Sequence, residues 1–83
     1  MNVIRGIRAT CVTQAEIVAS TLEEMGATVI NVSVTTPMGV VVWVRHEHCT
    51  KEYVDVAWAR AVLIEINKRL KFNGEHQLDS LTL

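Results

Sequence analysis

Aromatic residues make up only 5% of this 83-residue chain, which also holds one proline, four glycines and two cysteines. Each scarcity excludes something. Isolated glycines leave no Gly-rich loop that could cradle a phosphate. Two cysteines, Cys11 and Cys49, cannot staple a disulfide scaffold, and in a reducing compartment they are expected as small, partly buried free thiols. Charge of one sign is missing as well. Eight Lys and Arg against nine Asp and Glu give a net charge of −1, so nucleic acid is disfavoured as a partner. The longest apolar run, Val40 to Val44, falls far short of the ~20 residues that span a bilayer. The first residues, MNVIRGIRATC, have neither the apolar stretch nor the small-residue cleavage site of a signal peptide, so a cytoplasmic protein with no membrane partner is expected.

What is present is apolar mass. The chain is 49% hydrophobic, with 13 valines and six isoleucines, and 20% charged. That excludes disorder, which goes with low hydrophobicity and high net charge. It fits one small domain over residues 1–83, burying roughly 60% of the surface its unfolded form exposes.

The patterning alternates between periods. Val3, Ile7, Ala9 and Cys11 alternate with Ile4, Gly6, Arg8 and Thr10, which predicts a first strand. Thr13 stands three residues before Glu16, a capping box, and Ala15, Val18, Leu22 and Met25 follow at helical spacing. A helix over about 14–25 is expected, ended by Gly26. Ile30, Val32 and Val34 then alternate with Asn31, Ser33 and Thr35 in a second strand. Thr36-Pro37-Met38-Gly39 closes a hairpin onto a third strand from Val40 to about His48. From about 51 to 71 neither proline nor glycine intervenes, which predicts a long second helix that Asn73-Gly74 ends. The tail over 74–83 is expected as a possible short edge strand through Leu78, Leu81 and Leu83.

The order β-α-β-β-α, with or without a last β, predicts an α+β two-layer sandwich. Both helices would lie on one face of a mostly antiparallel sheet, in a ferredoxin-like or truncated arrangement. The segment from Leu22 through Met25-Gly26-Ala27-Thr28-Val29-Ile30 resembles the helix-to-strand turn of amino-acid-sensing ACT domains, a family with this topology. The resemblance implies, as an alternative function, a small-ligand-sensing regulatory domain with its ligand at a dimer interface. In that family the loop after the first strand helps bind the effector, and Cys11-Val12-Thr13-Gln14 departs from the family's pattern there.

Chemically capable side chains cluster only at Arg45-His46-Glu47-His48-Cys49. On a strand His46 and His48 point the same way, about 7 Å apart, and Cys49 follows at the turn, so the three are the candidate metal ligands or thiol centre. No fourth ligand stands at zinc spacing among Cys11, His76 and Asp79. No orienting group or oxyanion hole is identifiable, so neither catalytic residues nor a cofactor are expected, and the domain reads as non-enzymatic. A metal- or thiol-dependent site at the end of the third strand is the remaining alternative.

Apolar surface exceeds what one core needs. If the helices cover Ile30, Val32, Val34, Val40, Val42 and Val44, the opposite sheet face presents Ile4, Arg8, Val29, Asn31, Ser33, Val41, Trp43 and Arg45. Trp43, Arg45, Arg8 and Val41 are the expected partner-binding residues. The second helix carries three apolar stripes: Val56, Ala59, Leu63, Ile66 and Leu70 toward the core; Tyr53, Ala57, Ala61 and Ile64; and Val54, Trp58 and Val62. A helix apolar nearly all round needs a second cover, so Tyr53, Trp58, Ala61 and Val62 are the expected homodimer interface. The sequence thus points to a regulatory, protein-binding module that docks sterically on another protein as adaptor, regulatory subunit or inhibitor. Viruses and mobile elements encode inhibitors of this size, an expectation that rests on such proteins in general and on no residue here.

Overall fold

The structure, a computed structural model, describes residues 4–35, 39–45 and 56–81. Three antiparallel strands and two helices form a small α+β fold: β1 (Ile4–Ala9), α1 (Val12–Glu24), β2 (Thr28–Thr35), β3 (Gly39–Arg45) and α2 (Val56–Phe72). The sheet order is β1-β3-β2, with β3 antiparallel to both neighbours. β2 and β3 are therefore the two arms of the expected hairpin, whose turn residues 36–38 lie outside the described residues, as do residues 46–55.

Strand alternation places Ile7 and Ala9 of β1 opposite Val42 and Val40 of β3, and all four are buried. With Val44 they form the sheet's contribution to a core completed by Ala15, Val18 and Leu22 of α1, Ala27, and Val62, Ile66 and Leu70 of α2. α1 approaches all three strands and α2, whereas among the described helices and strands α2 has close backbone neighbours only on α1. Arg69 of α2 ties the two helices from outside the core. Its guanidinium donates to Glu24, to Glu65 Oε1 at 3.2 Å and to Thr21 Oγ1 at 3.4 Å. The hydrogen bond to the Glu24 carboxylate raises its pKa above the ordinary arginine value, against a lowering by desolvation.

Several expected details are corrected. α1 begins at Val12 with Cys11 as its N-cap, and no side-chain cap bond forms, so the Thr13–Glu16 capping box is not used. The reason lies one residue on. Gln14 is buried, its Oε1 accepts the Thr10 N–H at 2.7 Å, and its Nε2 donates to the His76 carbonyl. That amide holds the segment before α1 and the C-terminal tail together, and the helix starts where it allows. At the other end Gly26, φ +98°, takes the left-handed conformation expected of it, with the Ala27 N–H bonded to the Leu22 carbonyl at 2.9 Å.

β2 does not keep simple alternation. Val29 pairs with Val44 and Asn31 with Trp43, successive residues on β3, so Ile30 is an extra residue in a β-bulge. The bulge reverses the phase: Val29 packs against the core instead of lying on the opposite face, and Ile30 is exposed. On α2 the buried stripe is Val62, Ile66 and Leu70, while Val56 is exposed. The stripe expected to face the core is thus rotated at its N-terminal half, where Trp58 packs against the core and donates to the Met25 carbonyl at 3.0 Å.

Among the described residues the tail over 73–81 contains no strand. It is held by a side chain acting as a strand would. Asn67 on α2 donates to the Leu78 carbonyl at 2.9 Å and accepts the Leu78 N–H at 2.8 Å, and Leu78 and Leu81 pack against the core. No helix among the described residues is long and apolar enough to cross a membrane.

Asn67→Ala removes both bonds to Leu78 and should destabilise the fold by about 1–2 kcal/mol, with the loss concentrated in the tail. Urea unfolding together with amide exchange at Leu78 checks this; an unchanged midpoint and unchanged Leu78 protection would show that the tail is anchored elsewhere.

Candidate functional site

The face of the sheet that alternates with the core positions carries Ile4, Gly6 and Arg8 of β1, Val41, Trp43 and Arg45 of β3, and Asn31 and Ser33 of β2. Cross-strand pairs set this grouping: Ile4 opposite Arg45, Gly6 opposite Trp43 and Arg8 opposite Val41 on one side of β3, and Asn31 opposite Trp43 and Ser33 opposite Val41 on the other. The four expected partner-binding residues Arg8, Val41, Trp43 and Arg45 therefore share one face. Ile4, Arg8, Trp43 and Arg45 are exposed, while Val41 is buried and serves as the floor of the patch.

Trp43 is the centre of this face, and its position is held from both sides. Toward β2 its indole Nε1–H donates to Ser33 Oγ at 3.0 Å. Toward β1 the six-membered ring lies over Gly6, where an added Cβ would stand 3.0 Å from Trp43 Cζ3 and 3.0 Å from Val41 Cγ1. The ring thus spans the sheet, and the missing side chain at position 6 is what makes room for it. Even so, 38% of Trp43 is open to solvent. Arg8 lies toward one end of the face and Arg45 toward the other, which frames an aromatic surface with two cations. Beside it, where the tail passes β1, Gly6, Ile7, Arg8 and Ser80 line a pocket of about 390 Å³.

Compared with protein-family models, curated proteins and solved structures, the chain matches none.

The other expected sites fare differently. His46, His48, Cys49 and the interface residue Tyr53 lie outside the described residues. Among the described residues no group of three His, Cys, Asp or Glu side chains could hold a metal ion. Cys11, expected to be partly buried, is exposed, with its thiol 3.8 Å from Glu75 Oε2. Of the described interface residues, Val62 is fully buried within the core and offers no surface to a second copy. Trp58 is half-buried and turned toward Met25, and Ala61 is exposed. The exposed apolar side of α2 is instead marked by Val56 and Ile64, the latter 70% open.

Sequence reasoning placed Ser33 on this face without giving it a role, and it gave Gly6 no part in the site. Gly6 reads in the sequence only as a weak point in a strand, and a glycine in a strand is also the sign of a close approach from a neighbouring side chain.

Gly6→Ala should leave the fold intact but displace the indole, breaking its bond to Ser33 at a cost of about 1–3 kcal/mol. The Trp43 indole N–H resonance and the urea midpoint report the two effects. If neither moves, Gly6 is not what seats the ring.

Proposed function

We propose that this chain is a non-enzymatic protein-interaction module that docks the Trp43 face of its sheet on a partner protein and acts sterically, as an adaptor, regulatory subunit or inhibitor. The observation that carries this reading is the seating of Trp43: a large aromatic surface fixed before any partner arrives, flanked by Arg8 and Arg45. Tryptophan and arginine are the side chains most enriched among residues that dominate binding energy. A ring already tied to Ser33 and packed on Gly6 loses little freedom on association, so more of its burial appears as affinity. Arg8 and Arg45 supply charged hydrogen-bond donors at the rim, a composition that suits an acidic or carbonyl-rich protein surface.

In the same reading the helices both cover the opposite face of the sheet in a ferredoxin-like arrangement, which leaves the Trp43 face as the working surface. Self-association belongs to the reading as well, since the chain exposes further apolar residues away from that face.

Affinity capture from extract of the source cells, with wild type, Trp43→Ala and an Arg8→Glu, Arg45→Glu double variant as baits, tests the docking face. Wild type should retain a partner that both variants lose, with Trp43→Ala weakening capture by roughly 30-fold or more, the scale of a ≥2 kcal/mol hot spot. Equal capture by all three, with circular dichroism showing all three folded, places the docking surface elsewhere.

A further inference from the structure

The outer edge of β2 differs from every other surface of this fold. Among the described residues nothing pairs with it: β3 occupies one side of the strand, and no backbone group of α1, α2 or the tail reaches the other. An edge strand presents a row of free N–H and C=O groups, and proteins that remain monomeric blunt such edges with lysines, prolines, inward charges or a covering segment. β1, the other edge, has Arg5 and Arg8 in its six residues and the tail's Ser80 close by. Among the described residues β2 has none of these devices. Its sequence, TVINVSVT, contains no charge and no proline, and no charged side chain occurs anywhere between Glu24 and Arg45. Its bulge sits at Ile30, near the strand's start, so Asn31 to Thr35 keep regular pairing.

We infer that the β2 edge is the interface between two copies of this chain, which pair antiparallel through residues 31–35 to make one continuous six-stranded sheet. The inference rests on the self-association part of the proposed function and names its surface. A second copy is the occupant that the edge itself specifies. An uncharged strand meets no like charge when it pairs with its own image, and a two-fold axis needs a self-complementary patch. With the axis at Ser33, Val32 of each protomer falls opposite Val34 of the other, and Asn31 opposite Thr35. The four valines then form one row. They are solvent-exposed in the single chain, Val32 by 38% and Val34 by 70%, on the side where Val40 and Val42 are buried. Pairing therefore extends the core row Val40, Val42 across the junction, where a charged partner strand would strand a charge beside valine.

Five residues of edge and four valines fall below the ~800 Å² per partner of a standard stable interface, so the pairing is expected to be reversible and concentration-dependent. Its effect on function is geometric. The two Trp43 faces join into one surface, and a partner with two copies of the docking epitope is held by both.

The experiment is sedimentation equilibrium of the full chain over a wide concentration range, for wild type, Val34→Lys, Val32→Lys and Ile64→Lys. Val34 and Ile64 are both 70% exposed, so lysine at either position leaves the folded monomer intact, as circular dichroism at low concentration verifies. Wild type should dimerise, Val34→Lys and Val32→Lys should each weaken the dimer at least about tenfold, and Ile64→Lys should leave it unchanged. Amide exchange of wild type adds a readout that needs no variant: protection within residues 31–35 should rise with protein concentration. A monomer at every concentration removes self-association and the inference together. A dimer that survives the β2 variants but is lost in Ile64→Lys keeps self-association, assigns it to α2 and overturns the β2 edge.

Discussion

The backbone ladders on both sides of β3 are the interaction from which the rest of the structure follows. Because β3 is hydrogen-bonded to β1 and β2 alike, those two outer strands run parallel to each other with a strand between them. Chain leaving β1 must therefore cross back over the sheet before β2 begins, and α1 makes that crossing. Its 13 residues measure roughly 20 Å, about the length of the six- to eight-residue outer strands. The helix that returns the chain is then the one that lies along the sheet and touches all three strands, and α2 comes to rest against α1. Val40, Val42 and Val44 point into the space so enclosed, while Val41, Trp43 and Arg45 alternate with them on the opposite face.

How much of this was legible depends on whether local pattern or tertiary pairing decides a residue's side. The alternation of β3 and the spacing of Ala15, Val18 and Leu22 each have one solution, and both appear in the core as expected. Gly26 was legible because only its backbone could turn left-handed at a helix end. Val29 and Ile30 were not: two adjacent β-branched residues allow either phase, and the pairing of Val29 with Val44 chooses between them. The buried stripe of α2 was ambiguous for the same reason. A helix apolar on most sides has several equivalent rotations, and the one observed is selected by Val62 meeting the core and Trp58 reaching the Met25 carbonyl. Thr13 and Gln14 show a further limit, since a capping signal is local, whereas the bond that displaced it joins Gln14 to His76 at the far end of the chain.

The candidate site was legible in outline and not in construction. Placing Trp43 opposite the core face of β3 required only period-two alternation. What holds the indole requires knowing which strands flank β3. Ser33 and Gly6 are far apart in sequence, and they become the two supports of one ring only because β2 and β1 lie on either side of it. A glycine that weakens β1 by itself thereby strengthens the face as a whole, since it converts a backbone gap into a seat for the largest side chain on the sheet.

The apolar excess of the composition also divides once the fold is known. Scattered single residues such as Val56, Ile64 and Phe72, the last 90% exposed, need no special account, because a small domain lacks the polar area to cover itself. The valines at the β2 edge differ in kind. Their side chains continue a buried row, and among the described residues nothing pairs with the outer backbone edge that carries them. Main-chain groups at such an edge are satisfied by water at little cost, so the monomer is not strained. Yet the same groups make association directional, which exposed side chains alone cannot do. In the proposed reading, two surfaces of one sheet then divide the work: the flat face around Trp43 would be specific through side-chain chemistry, and the β2 edge through backbone register.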